Sequence, residues 1–135
     1  MSYCVRYFAE TKVTLKDLSA AVKANASDYK IDGGDLMRGA EVLAEIEIDS
    51  AGSDLFIEDL NTRLAAVSAI GGPGPEWVGA RLQSTHSIIA VRVDPNINWD
   101  LLAPLWAALA STSTGMTQVD GQGYYYDGNL VVAIA

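Results

Sequence analysis

Apolar and polar positions trade places along this chain with two periods, one close to two residues and one close to three and a half, and the switches between them mark the elements. SYCVRYFA (residues 2–9) is rich in aromatic and β-branched types and short, which predicts a strand. Thr14, with Asp17 three residues on, opens a capping-box-like start, and Leu15, Leu18, Val22 and Ala26 recur at helical spacing behind it. Residues 27–40 hold Asp28, Asp32, Gly33, Gly34 and Asp35 and read as a loop. The cleanest alternation follows in GAEVLAEIEID, where Val42, Ala44, Ile46 and Ile48 interleave with Glu41, Leu43, Glu45, Glu47 and Asp49, so a strand with one buried face is expected.

Ser53 or Asp54 can cap a helix running to Ile70 with Ile57, Leu60, Leu64 and Val67 as its apolar stripe, and Gly71-Gly72 stop it. A competing reading makes Leu55 to Ile57 a hairpin strand across the turn SAGS. Gly74-Pro75 puts proline at the start of a short helix with Trp77, Val78 and Leu82 on one face. SIIAVRV (87–93) is apolar on both alternating faces except for Arg92, the pattern of a strand covered on both sides. Asn98 caps a turn, Pro104 moves the helix proper to 104–112 or kinks it, and Leu105, Trp106 and Leu109 face inward. Toward the end, YYYDGNLVV carries Asp127-Gly128 between apolar runs, a type I′ hairpin signal that sets Tyr124 and Tyr126 on one face and Tyr125 on the other.

The order β-α-β, two helices, β-α-β and a final hairpin predicts a single α+β domain over residues 1–135. Its expected architecture is a two-layer sandwich with ferredoxin-like βαβ halves, an inserted helical pair and a C-terminal β-hairpin. LVVAIA is apolar on both faces like SIIAVRV, so the second sheet face needs cover from the 53–84 helices or from another subunit, and a homodimer is expected on that ground.

Composition narrows the functions. The chain has 135 residues, 17 acids against 9 bases and a net charge of −8, which repels phosphate backbones and anionic membranes and sets nucleic-acid and membrane binding aside. MSYCVRYFAE lacks a basic start followed by a long apolar run, and no window is apolar enough for a membrane helix, so a cytoplasmic location is expected. One cysteine, Cys4, and one histidine, His86, build neither a thiolate cluster nor a multi-histidine metal centre; no metal and no cofactor are expected. A Cys4–His86 nucleophilic pair requires the first strand beside the one His86 precedes.

Carboxylates are the plentiful group. Glu45, Glu47 and Asp49 project from one strand face, neighbours about 6.6 to 6.8 Å apart, a spacing compatible with paired acid and base roles on a saccharide and equally with a solvated outer face. Asp28, Asp32 and Asp35, like Asp120 and Asp127, sit among glycines without the spacing of a calcium loop. The tyrosine triplet offers apolar faces with polar tips, suited to a pocket wall or to strand packing.

ARLQSTHSIIAVRVDP and LLAPLWAALASTSTGMTQVDGQGYYYDG, together residues 80–128, resemble a pattern in small bacterial proteins. There a Pro-Leu-Trp helix leads into a Gly-x-x-Gln-x-Asp-Gly-x-Gly-aromatic-Tyr run. The resemblance implies a bacterial intracellular protein and carries no activity with it. It draws attention to Gly115, Gln118, Asp120, Gly121, Gly123, Tyr124 and Tyr125, of which Gln118, Asp120, Gly121, Gly123, Tyr124 and Tyr125 form the candidate binding site. The leading expectation is a non-catalytic binding module taking a basic protein or a small molecule at this face, with no catalytic residue assigned. A toxin-neutralising immunity-type protein and a small carboxylate and tyrosine enzyme stand as alternatives.

Overall fold

The computed structural model describes residues 3–134. Eight strands, β1 (Tyr3–Ala9), β2 (Tyr29–Asp32), β3 (Asp35–Arg38), β4 (Glu41–Ser50), β5 (Ser87–Val93), β6 (Gly115–Val119), β7 (Gly123–Tyr126) and β8 (Asn129–Ala133), form one sheet in the order β2-β3-β4-β5-β1-β6-β7-β8. Every neighbouring pair is antiparallel. The helices are α1 (Leu15–Asn25), α2 (Asp54–Ile70), α3 (Pro73–Gln83) and α4 (Ala103–Thr112), the last preceded by a 3₁₀ turn at Trp99–Leu102.

The chain is mixed α and β as expected, but the ferredoxin-like arrangement is not confirmed. The β5-α4-β6 crossover does straddle β1, which is the split βαβ element, whereas β1-α1-β2 spans three intervening strands. The helices also lie on both faces of the sheet rather than making two layers. Val5, Tyr7 and Ala9 of β1 join Leu18 and Val22 of α1 and Leu105, Ala108 and Leu109 of α4 in one core. Phe8, on the other side of the same strand, joins Phe56 and Val67 of α2, Val78 and Leu82 of α3, and Tyr124 and Val132. β5 is therefore covered on both faces from within the chain and β8 on its α2/α3 face, while Leu130 on the other face of β8 is 50% exposed.

Each helical pair covers only half of its face. The α1/α4 layer packs on β4, β5 and β1, with Tyr29, Leu36 and Ile46 also inside its core, and no buried residue of that core comes from β6 to β8. The α2/α3 layer does the reverse and draws its strand residues from β1, β5, β6, β7 and β8. Two half-sheets are left open on opposite faces, at opposite ends of the sheet.

Local chemistry explains the elements. Thr14 Oγ1 accepts from the Asp17 amide and Ser53 Oγ from the Phe56 amide, so residues 53–58 start a helix rather than a hairpin strand. Asp127 (φ 50°) and Gly128 (φ 78°) fill the two left-handed positions of the β7–β8 hairpin, with Tyr126 paired to Asn129 across it.

Four expectations change. Residues 27–40 are not a loop: Tyr29, Ile31 and Leu36 enter the core from β2 and β3, which turn at Gly33-Gly34. In β4 the register shifts opposite Leu36/Met37, so Leu43 is buried beside Ala44 while Val42 turns outward at 52% exposure. In α2 the inward stripe runs through Phe56 rather than Ile57, which is 47% exposed. Finally, α3 opens at Pro73, two residues before the expected proline.

Candidate functional site

The open half-sheet beside α4 forms a groove of about 880 Å³. Its floor is a set of side chains from three adjacent strands: the pairings Tyr7↔Thr117 and Thr117↔Tyr125 run straight across β1, β6 and β7, and Val5↔Val119 lies one row along. The wall is the side of α4 carrying Trp106, Leu109 and Ala110, residues spaced i, i+3 and i+4 so that they share one helix face. Trp99 closes one end from the 3₁₀ turn, and the Tyr126-Asp127-Gly128 turn forms the far rim.

The fold holds these aromatics in place. Tyr7 Oη donates to the Ser113 carbonyl at 2.6 Å, and its ring crosses Gly115, where a Cβ would come within 2.6 Å of it. Gly115 is thus the gap that lets Tyr7 lie across β6. Tyr3 packs edge-on against Trp99, with ring centroids 5.9 Å apart. Tyr125 Oη donates to Gln122 Oε1 at 2.8 Å. Behind the rim, Trp77 meets Tyr126 edge-on at 5.1 Å and the Arg81 guanidinium lies over both rings, at 4.9 and 5.0 Å, while pairing with Glu10 at 3.1 Å. That stack ties the hairpin turn to α3.

The residues singled out from sequence divide between the two faces. Gln118 and Asp120 gather on the α2 side around Arg6, which donates to Gln118 Oε1 at 2.9 Å and to Asp120 Oδ1 at 3.0 Å. Arg6 also pairs with Asp59 of α2 at 3.4 Å, and Asp59 with Arg63 at 3.3 Å. Two arginines and two carboxylates balance in this half-buried network, which clamps β6 and β1 to α2. Tyr124 is 2% exposed, stacked near Phe8 inside the α2/α3 core, and burial pushes its phenol up to about 12. Gly121 (φ 76°) and Gly123 (φ 135°) shape the β6–β7 turn, and a Cβ on Gly123 would clash with the Val132 carbonyl oxygen. Tyr125 alone of the six faces the groove. Trp99, Trp106, Gln122 and Asp127 line the groove and lie outside the expected binding site, Trp106 having been expected to face inward and Asp127 to serve the turn. The signal for Trp106 was its place at i−3 and i−4 from Leu109 and Ala110, which marks a helix flank as readily as a core.

The other candidate chemistries can be placed as well. β1 does lie beside β5, but antiparallel pairing sets Cys4 opposite Arg92 and leaves His86 beyond Ala9, at the far end of the strand. Six residue rises along the strand separate them, roughly 20 Å, so no nucleophilic pair forms. Burial raises the Cys4 thiol further, against the opposing pull of Arg6. Glu45, Glu47 and Asp49 stand on the other open half-sheet; Glu47 pairs with Arg92 at 3.1 Å, and Asp49 is raised chiefly by partial burial, with Glu47 and Asp59 adding to it. Among the described residues no three His, Cys, Asp or Glu side chains gather as a metal site, and no helix is long and apolar enough to cross a membrane. Compared with protein-family models, curated proteins and solved structures, the chain has no match.

Proposed function

We propose that this protein is a non-catalytic binding module whose ligand seats in the aromatic groove between α4 and the β6–β8 half-sheet. The observation that carries the reading is the groove itself. Its volume of about 880 Å³ falls within the range of ligand pockets, and two of its aromatic walls are held in place, Trp99 by the Tyr3 ring and Tyr125 by the Gln122 side chain. A mostly apolar concavity with a few polar groups, Gln122, Thr114, Thr117 and Asp127, suits a ligand with flat apolar faces. The test is a set of neutral aromatic fragments followed by amide and indole NMR shifts. Shifts centred on Trp106, Thr117 and Tyr125 and lost in Trp106→Ala support the groove; shifts that gather elsewhere, or none, reject it.

A second reading rests on the opposite half-sheet. Lys30, Asp32, Asp35, Met37, Val42, Glu45, Glu47, Asp49 and Arg92 share that uncovered face by strand register, five acids to two bases around the exposed Val42. Such a face favours a basic protein partner and speeds its approach, which is the chemistry an immunity-type protein would use. Reversing Glu45 and Glu47 to lysine abolishes capture of a basic partner under this reading and leaves fragment binding in the groove intact.

A further inference from the structure

The charge lining the groove narrows the ligand. Among the described residues no Lys, Arg or His lines it, and the one carboxylate in its lining is Asp127. Arg81 sits over the Tyr126 ring together with Trp77 of α3 and is already paired with Glu10. The hydroxyls of Tyr7 and Tyr125 are committed to Ser113 and Gln122, so the tyrosines present ring faces and few free donors. What remains is a set of aromatic rings, Trp99, Trp106 and Tyr125, with a carboxylate at the rim and a surrounding net charge of −8. Aromatic faces attract cations through the ring quadrupole, a carboxylate adds to that attraction, and the field of an acidic chain concentrates positive ligands. An anion would meet the same features as repulsion.

We propose that the groove selects an apolar cation: a flat or alkyl body carrying an ammonium or guanidinium group, free or displayed on a peptide, with the body against Trp106 and Tyr125 and the charge toward Asp127. The proposal rests on the groove being the binding site and adds the sign of the ligand's charge.

Three probes of matched size separate the possibilities on the intact chain: benzyltrimethylammonium, benzyl alcohol and benzenesulfonate, each titrated at constant ionic strength against tryptophan emission and amide shifts. The cation is expected to bind most tightly and the sulfonate most weakly. Asp127→Asn, which keeps a residue tolerant of the left-handed turn, is expected to weaken the cation roughly two- to fivefold and leave benzyl alcohol unchanged. Trp106→Ala should weaken both by roughly tenfold; if it does not fold, the wild-type charge series and Asp127→Asn decide the matter alone. Sulfonate binding as tight as the cation, or a cation no tighter than benzyl alcohol, overturns the charge selection while the groove reading survives. Absence of binding by all three overturns both. An N-acetylated Phe-Arg amide dipeptide, compared with benzyltrimethylammonium, then distinguishes a peptide-borne cation from a free one.

Discussion

Gly123→Ala is the substitution whose cost the structure defines most sharply. Gly123 has φ of 135°, where side chains other than hydrogen are strained, and strain of that kind costs about 1 to 3 kcal/mol. The added Cβ would also clash with the Val132 carbonyl oxygen and lie 2.9 Å from both Ala133 Cα and Ile134 N. All three are backbone atoms, so no rotamer change relieves the clash. β7 and β8 must separate, which sacrifices the Ile134 N–H bond to the Gln122 carbonyl and loosens the pairing of Gly123 with Ala133. At about 1 kcal/mol for each hydrogen bond lost, the total comes to roughly 3 to 5 kcal/mol. For a chain of this size that lowers the melting temperature by about 10 to 20 °C. The control is Gly128→Ala, which has φ of 78° with nothing within 4 Å, and which should cost about 1 kcal/mol from strain alone. Urea unfolding at pH 7, followed by tryptophan emission, measures both. A Gly123→Ala variant within about 1 kcal/mol of Gly128→Ala would refute the reasoning, because it would mean the β7–β8 contact yields without cost.

Three further expectations follow from the polar groups. Arg6→Met should cost about 2 kcal/mol, since it strands Gln118 and Asp120 beside a half-buried apolar side chain, whereas Asp120→Asn should cost less than about 1 kcal/mol because the Asp120 side chain is 42% exposed and an amide oxygen still accepts from Arg6; urea midpoints check the ranking. Tyr7 and Tyr124 are both pushed by burial from about 10 up to about 12, so the unfolded chain loses these protons first as pH rises. Their contribution is intact below pH 10 and is lost between pH 10 and 12, and Tyr7→Phe should reduce the slope of stability against pH in that window. For Asp49, whose carboxyl is raised mainly by partial burial, the folded chain holds the proton more tightly than the unfolded one, so stability declines as pH rises through its range. Asp49→Asn should therefore be slightly more stable than wild type at pH 7, with the difference vanishing at acid pH in paired melting curves.

Much of the secondary structure was legible because the deciding interactions are local. Thr14 and Ser53 cap their own helices three residues on, Asp127-Gly128 meets the dihedral demands of a two-residue turn, and the double-sided apolar character of SIIAVRV marks a strand covered on both faces. The β2–β3 hairpin was missed because the acids and glycines around Gly33-Gly34 hide a four-residue alternation, Tyr29 and Ile31 against Lys30 and Asp32. The outward turn of Val42 was missed because a bulge reverses alternation without altering composition.

The site was less legible. The conspicuous run from Gly115 to Tyr125 is one stretch in sequence, but strand alternation sends Gln118 and Tyr124 to the α2/α3 side and Tyr125 to the other, and its glycines serve turns and the passage of the Tyr7 ring. By itself the sequence determined the four helices and the strands other than β2 and β3, the acidic charge, and the lack of residues for a thiolate or multi-histidine metal centre, since these depend on residue type and on neighbours a few positions away. Only the tertiary structure decided that each helical pair covers one half of one sheet face. The groove follows from that offset: Trp99 and Trp106 come to face Tyr7 and Tyr125 because long-range strand pairing puts β6 beside β1, and no local pattern in the chain encodes which strands become neighbours.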